Sequence, residues 1–544
     1  MITKKTDLCI IGSAAAGLSA AVVAKRNGIE NIIVIEKNHA TGGTAVMAAG
    51  IMAFGSVTQK RQGMFYDVDQ AFLDIITIQN WNCNAKLVRK WINGTSDSID
   101  FIESLDEGCR CEVATTDTSN PNKFRNSRHI MADFVDGKLV FKRSGLTITN
   151  ALAKVCKETG VEIICDCKAE HLITDSDGRV TGVKAVMKDG EELEITADAT
   201  VLATGSFAHN KPMVREYFGV DDYAADDFLI ASDFPWNTGD GNTMVNEIGG
   251  AKGKPIAFFM GPHSHFEGSS ELLCTLIRRG HGMQVNRNGE RFHDEALWVE
   301  SEWSWMKGAS LNYQPGKICF TIWDQNLVDL TVNDKEYGIN RLMPSMLERP
   351  MFRGNGYWGE DYDANNWKKS IMDHLKHDAE LGRVGICNTV EEMAEFIGCD
   401  AETLQENITE YNLSCVKKYD SAFLKDPNYL YPVLTAPFYV MLGEQGMDTA
   451  IGGIRIDDKQ RVLAEDGNFI PGLYAAGTCC SDWSNGQYVV NCAAMSFTVY
   501  SGREAGKEAA IYVKKDVKPA RKIGALRSAF GGTDNKPSWN GSWS

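Results

Sequence analysis

Residues 7–38 read "DLCIIGSAAAGLSAAVVAKRNGIENIIVIEKN", and this stretch decides the fold. Leu8-Cys9-Ile10-Ile11 is apolar without alternation, as a strand buried on both faces must be. Gly12-Ser13-Ala14-Ala15-Ala16-Gly17 then turns the chain into the helix "LSAAVVAKRNG", and "NIIVIE" is a second buried strand. Strand, glycine turn, helix and strand make a βαβ unit with the spacing of a dinucleotide site. Gly12 permits the tight turn. Ala14 stands where the pattern expects its second glycine; its methyl crowds a pyrophosphate slightly but can be accommodated. Gly17 lets helix and strand pack closely. The helix N-terminus then offers free N–H groups and its positive dipole end to a diphosphate. Glu36 closes the second strand 19 residues after Gly17, placed to accept hydrogen bonds from ribose hydroxyls.

Bulk properties bound the rest. With 544 residues the chain is too long for one hydrophobic core, so at least two domains are expected. A net charge of −16 argues against general nucleic-acid binding. No run of about 18 apolar residues marks a membrane span. Two lysines precede the first apolar run, but its glycine turn makes it the first strand of the fold rather than a signal peptide. A cytoplasmic location is the expectation. The 15 cysteines form no CxxC pair, so neither a zinc ribbon nor an iron–sulfur cluster nor a c-type haem is indicated. His263 and His265 resemble a metal pair without a third ligand nearby, and no metal is expected.

The residues after Glu36 narrow the cofactor. "HATGGTAVMAAGIM" (39–52) sets Gly42, Gly43 and Thr44 where small residues let an extended cofactor lie along the backbone, as in flavoproteins with two dinucleotide-binding domains. Residues 144–186 read as helix, strand, strand, turn, strand, with Asp177-Gly178 as the hairpin signal. "ATVLATGSFAHN" (199–210) is a buried strand ending in Ala203-Thr204-Gly205. With "NTGDGNTM", "GERFHDEA", "PFYVM", "GGIRI" and "GLYAAG" following in order, the chain resembles the flavoprotein family of fumarate reductase and 3-ketosteroid dehydrogenase over about residues 5–512.

That resemblance implies an α/β FAD-binding Rossmann-like fold with an inserted α+β capping domain. The FAD domain would comprise residues 1–250 and 435–515, the cap 251–434 and a tail 516–544. In the cap, residues 388–419 read as two amphipathic helices, the first capped by Asn388 or Thr389. The expected FAD contacts are Gly12, Ala14, Ala16, Gly17, Glu36, Lys37, Gly42, Gly43, Thr44, Ala169, Ala203, Thr204, Gly205, Asp240, Gly477, Ala493 and Ala494. The last two begin a closing helix whose N–H groups can face the flavin O2. No histidine stands near Thr44–Ala45, where the respiratory relatives attach flavin covalently, so FAD is expected to be non-covalent.

A flavin supplies hydride chemistry, and the protein supplies orientation and proton transfer. Fumarate-reductase relatives use cations for their dicarboxylate. Here the proton-donating arginine falls at Val299, the substrate histidine at Asp448 or Thr449, and the carboxylate-binding arginine at Tyr488. Two carboxylates would be buried unpaired, at a cost of several kcal/mol, so fumarate and succinate are disfavoured. The ketosteroid dehydrogenases carry a tyrosine at the Tyr488 position, where a phenol can donate to a developing enolate oxygen without a counter-anion. They also place a catalytic tyrosine where Val299 stands. Proton transfer would then fall to Asp448, otherwise a turn-capping residue, or to Tyr313, Tyr337, Tyr357 or Tyr362 of the cap. Arg279 matches an Arg-Gly pair of the reductases' proton relay.

The expected activity is reduction or formation of a C=C bond conjugated to a carbonyl in a bulky, largely uncharged ring substrate such as a ketosteroid. Reductive ring-ether cleavage or reduction of a plant polyphenol is the second enzyme reading, and a non-catalytic electron-transfer or regulatory flavoprotein the alternative of another class. The partners expected are that ring substrate and a separate electron donor or acceptor, which no haem or iron–sulfur motif identifies.

Overall fold

A computed structural model of the chain describes all residues except 65, 114–126, 136–137, 219–228, 231–232, 260–261, 263–268, 270–272, 274–275, 278–279, 297–309, 334–366, 486–487, 489–491 and 515–544. Its main sheet is built on β1 (Ile2–Ile11) and β2 (Ile32–Ile35), joined by α1 (Ala15–Arg26). Five strands run parallel in the spatial order Phe469–Ala475, Glu192–Leu202, β1, β2, Glu162–Ile164. Leu8 and Ile10 of β1 face one core cluster while Cys9 and Ile11 face another. Both faces of the strand are thus covered, which is why its apolar run does not alternate. The hairpin expected at Asp177-Gly178 forms between Cys167–Thr174 and Val180–Met187. Asp175 Oδ1 accepts from the N–H groups of Asp177 and Arg179, both at 3.0 Å, and pins the turn.

The closing helix, Ala493–Lys514, lies against α1. Glycines make this crossing close: a Cβ on Gly502 would meet Ala16 O at 2.3 Å, and one on Gly506 would meet Ala20 O at 2.2 Å. The last described helix therefore packs on the first, and strands and helices from widely separated parts of the sequence build the main sheet and its cover.

A separate antiparallel sheet is ordered Met283–Val285, Ile318–Trp323, Phe438–Glu444, Val384–Cys387. The helices Val390–Ile397 and Ala401–Lys417 pack on it. Of the two candidate caps, Thr389 accepts from Glu392 N–H at 3.2 Å, while Asn388 N–H donates to Glu392 Oε2 at 2.6 Å. Phe438–Glu444, just past the expected boundary at 435, is a central strand of this sheet. A short apolar run shows that a strand is buried but not in which sheet it pairs. No helix among the described residues is long and apolar enough to cross a membrane.

Candidate functional site

An elongated cleft with about 1630 Å³ of free space, mouth included, opens at the C-terminal ends of the parallel strands. At one end is the β1–α1 turn. Gly12 has φ +104°, and a Cβ there would meet Ala203 O at 2.3 Å, so the turn lies directly on the Ala203-Thr204-Gly205 segment. No side chain caps α1 at Ala14, and its first turn carries no acid. The opening N–H groups of α1 are left for an anion, which fits the diphosphate of a dinucleotide. Ser13, Ala14 and Ala16 line the cleft here. Gly17 and Gly42 do not. Gly17 sits so near the turn that a Cβ would meet Gly12 O at 1.9 Å, and Gly42 N–H donates to Ser13 O at 3.0 Å.

Glu36 lines the cleft, yet its carboxylate is engaged within the chain. One oxygen accepts from Ser13 N–H at 2.9 Å and Ser13 Oγ at 2.8 Å; the other accepts from Asn38 N–H and Nδ2, both at 3.0 Å. Beyond the ribose contact expected of it, Glu36 ties the turn to the end of β2, because an acceptor with four lone-pair sites meets four donors. Lys37 Nζ bonds Asp240 Oδ2 at 2.8 Å and Thr238 Oγ1 at 3.1 Å, which neutralises its charge beside the same end.

Small residues form the walls, with Cys167 and Ala169 on one side and Thr204, Gly205, Gly477 and Thr478 on the other. Gly477, at φ +83°, could not carry a Cβ without approaching Ala16 Cβ to 2.9 Å. Beyond Gly43, the Thr44 hydroxyl donates to Asp233 Oδ1 at 2.9 Å and accepts from Asn237 Nδ2 at 2.6 Å. Thr449 Oγ1 donates to Asp233 Oδ2 at 2.9 Å. Asp233 thus joins three separate stretches of chain across the far end of the cleft. Sequence reading missed it, since nothing in "SDFPWN" distinguishes it from a loop aspartate.

Tyr488 and Asp448 both reach this far end. Asp448 is 2 % exposed and lies inside the strand Gly446–Ile451 rather than in a turn. Phe258 pairs with Thr449 and Phe259 with Met447, so Asp448 is the extra residue of a β-bulge, the device that re-aims a side chain out of the ladder. Tyr488 is 8 % exposed, and its oxygen accepts the Ala494 N–H at 2.7 Å. Burial pushes the phenol well above its ordinary pKa, helped by Cys492 and Asp448 and opposed by the Ala494 N–H. The N–H expected to face the flavin is therefore held by the phenol, and Ala493 does not line the cleft. Tyr313 is 88 % exposed and does not line the cleft, because it stands in a surface turn where its N–H donates to Ser310 O at 3.3 Å. Arg279, Val299, His263, His265, Tyr337, Tyr357 and Tyr362 lie outside the described residues.

The FAD binding domain family matches residues 7–489. This chain belongs to that family. The cleft agrees with the assignment: an uncapped helix start, a glycine turn without a side chain and small walls accommodate a long dinucleotide. The vinyl phenol reductase of Lactiplantibacillus plantarum is 24% identical over 521 residues, covering 93% of this chain and 96% of its own. Among solved structures, the 3-ketosteroid Δ1-dehydrogenase of Sterolibacterium denitrificans superposes with a TM-score of 0.70 at 18% identity, over 93% of this chain and 100% of its own. A flavocytochrome c3 fumarate reductase in its open conformation gives 0.63 at 22%, over 94% and 79%. The FAD binding domain chain therefore has the flavoprotein fold expected from its motifs, and its relatives are FAD-dependent reductases and dehydrogenases.

Proposed function

We propose that this FAD-dependent oxidoreductase acts on a C=C bond conjugated to an oxygen-bearing group of a bulky, largely uncharged ring substrate, with FAD held non-covalently. The observation that carries the reading is the Tyr488 phenol. Its oxygen accepts an N–H at the start of the 22-residue closing helix. A phenol can both accept and donate a hydrogen bond, and Tyr488 lines the cleft. Burial keeps it protonated at neutral pH, and the helix N-terminus moderates negative charge that develops on it. FAD, when bound, supplies or takes the hydride. Tyr488 holds the conjugated oxygen of the substrate and stabilises charge developing there. Asp448, at its bulge, holds or takes the proton at the neighbouring carbon, and Arg279 is the residue assigned to relay it.

Charge supports a neutral substrate. The cation among the described residues lining the cleft, Lys37, is paired with Asp240 at the ribose end. The Tyr488 end presents a phenol and a carboxylate, which suit a ketone or phenol and disfavour a dicarboxylate. The vinyl phenol reductase relative points the same way.

The test is single-turnover reoxidation of the reduced FAD under anaerobic conditions. The probes are 4-vinylphenol, 1,4-androstadiene-3,17-dione and fumarate. At least one ring compound should reoxidise the flavin and fumarate should not; reoxidation by fumarate alone overturns the reading. Tyr488→Phe should retain FAD and slow the reaction about tenfold or more, the scale of losing an oxyanion donor. An unchanged rate would leave the phenol as a helix cap only.

A further inference from the structure

We propose that Gln79 is a positioning residue for Tyr488, acting through the backbone of Trp483 and Asn485 that it holds; this rests on the role given to Tyr488 above. Gln79 follows the helix Val68–Ile78 and is 2 % exposed. Its side chain does not cap its own helix. Nε2 donates to Trp483 O at 3.1 Å, and Oε1 accepts from Asn485 N–H at 2.6 Å. One neutral amide thus satisfies a carbonyl and an N–H two residues apart, as a neighbouring strand would.

The surrounding turn serves the same contact. Asn80 (φ 50°) and Trp81 (φ 55°) are consecutive left-handed residues, a conformation costing about 1 kcal/mol or more for each non-glycine residue. They swing the chain so that Asn82 O accepts from Asn485 Nδ2 and Asn84 N–H donates to Asp482 O at 2.7 Å. Four hydrogen bonds therefore join residues 79–84 to 482–485.

Other described contacts flank the Gln79 amide on either side. Trp483 is fully buried and stacks on Phe497 of the closing helix, ring centroids 4.5 Å apart and planes within 10°. Gln79 holds Trp483 and Asn485. Tyr488 ends on Ala494 N–H of the same helix. Removing the Gln79 amide leaves Trp483 O and Asn485 N–H without that partner and loosens the segment ahead of the phenol, and displacements near 1 Å at a reacting group are enough to slow chemistry strongly.

The experiment is a double-mutant cycle on the single-turnover rate of flavin reoxidation, with 4-vinylphenol and 1,4-androstadiene-3,17-dione as probes. Gln79→Ala should retain FAD and lower the rate at least about fivefold in the Tyr488 protein, but less than twofold when Tyr488→Phe is already present. Gln79→Glu keeps the acceptor for Asn485 N–H and loses the donor for Trp483 O. It should give an intermediate loss, and it replaces Gln79→Ala in the cycle if the alanine variant does not fold. Equal losses in both backgrounds, or none in either, overturn the positioning role and leave that of Tyr488 intact. A Tyr488→Phe protein with unchanged rate overturns both.

Discussion

Glu36 shows how much one side chain can do beyond what its spacing suggests. It lines the cleft 19 residues after Gly17, and its four acceptor contacts all come from Ser13 and Asn38. Glu36→Gln must turn an NH₂ toward one of those donor pairs, leaving buried N–H groups opposed, at about 1–3 kcal/mol. FAD affinity should fall about tenfold or more, read by flavin-fluorescence titration of the apoprotein. Tyr488 and Asp448 differ from Glu36 in that spacing located them through resemblance. Only the structure revealed that one caps a helix and the other forms a bulge. Gln79 and Asp233 carried no motif at all, because a side chain that binds remote backbone leaves no local pattern.

Among elements, the closing helix is the most constrained. An alanine in place of a helical glycine ordinarily gains about 1 kcal/mol from propensity. At Gly506 the sign should reverse, since the new methyl meets Ala20 O, and overpacking costs about 1–3 kcal/mol. Urea midpoints of Gly506→Ala against the unaltered protein check this. A second element carries a pH signature. Ser56 caps the helix Val57–Arg61 in a capping box with Gln59, and its hydroxyl also meets His129 Nε2 at 2.7 Å. His129 is fully buried, its Nδ1 bonded to Ser127 O at 2.8 Å, and burial lowers its pKa from 6.5 to about 4. The unfolded chain then binds a proton that the folded chain refuses between those values. Stability should fall by about 3 kcal/mol as pH drops from 6.5 to 4. His129→Gln should flatten the urea midpoint across that window, where a stability loss as steep as that of the unaltered protein would count against the assignment.

At the scale of the molecule, residues 291–295 and 420–425 are tied together by a buried charge cluster. Arg291 bonds Glu295 at 2.9 Å and Asp420 at 3.0 Å, and Lys425 lies 3.3 Å from Glu295, all at 5 % side-chain exposure or less. Burial would raise both carboxylates, yet the cations hold them below their usual range. Their contribution is present above about pH 4.5 and lost as pH falls through the depressed folded values. Lys425→Met leaves one excess buried anion, so it should cost about 3–5 kcal/mol near neutral pH. The deficit should shrink as the solution is acidified and the carboxylates protonate, which urea unfolding at several pH values would show.

What the sequence determined by itself is the βαβ unit, the hairpin at Asp177-Gly178 and the helices of residues 388–419, along with the small residues near Gly12 and Thr44 that line the cleft. These depend on local periodicity, turn chemistry and fixed spacing, which a chain carries in its own order. Tertiary structure alone decided that Phe438–Glu444 pairs within the separate antiparallel sheet and that Asp448 is bulged toward the cleft. It also decided that Tyr488 takes the Ala494 N–H and that Gln79, more than 400 residues away, holds Trp483 and Asn485. Each of these is a hydrogen bond or pairing between distant segments. No local signal encodes such a choice, because the partner is selected by which backbone groups the completed fold leaves within reach.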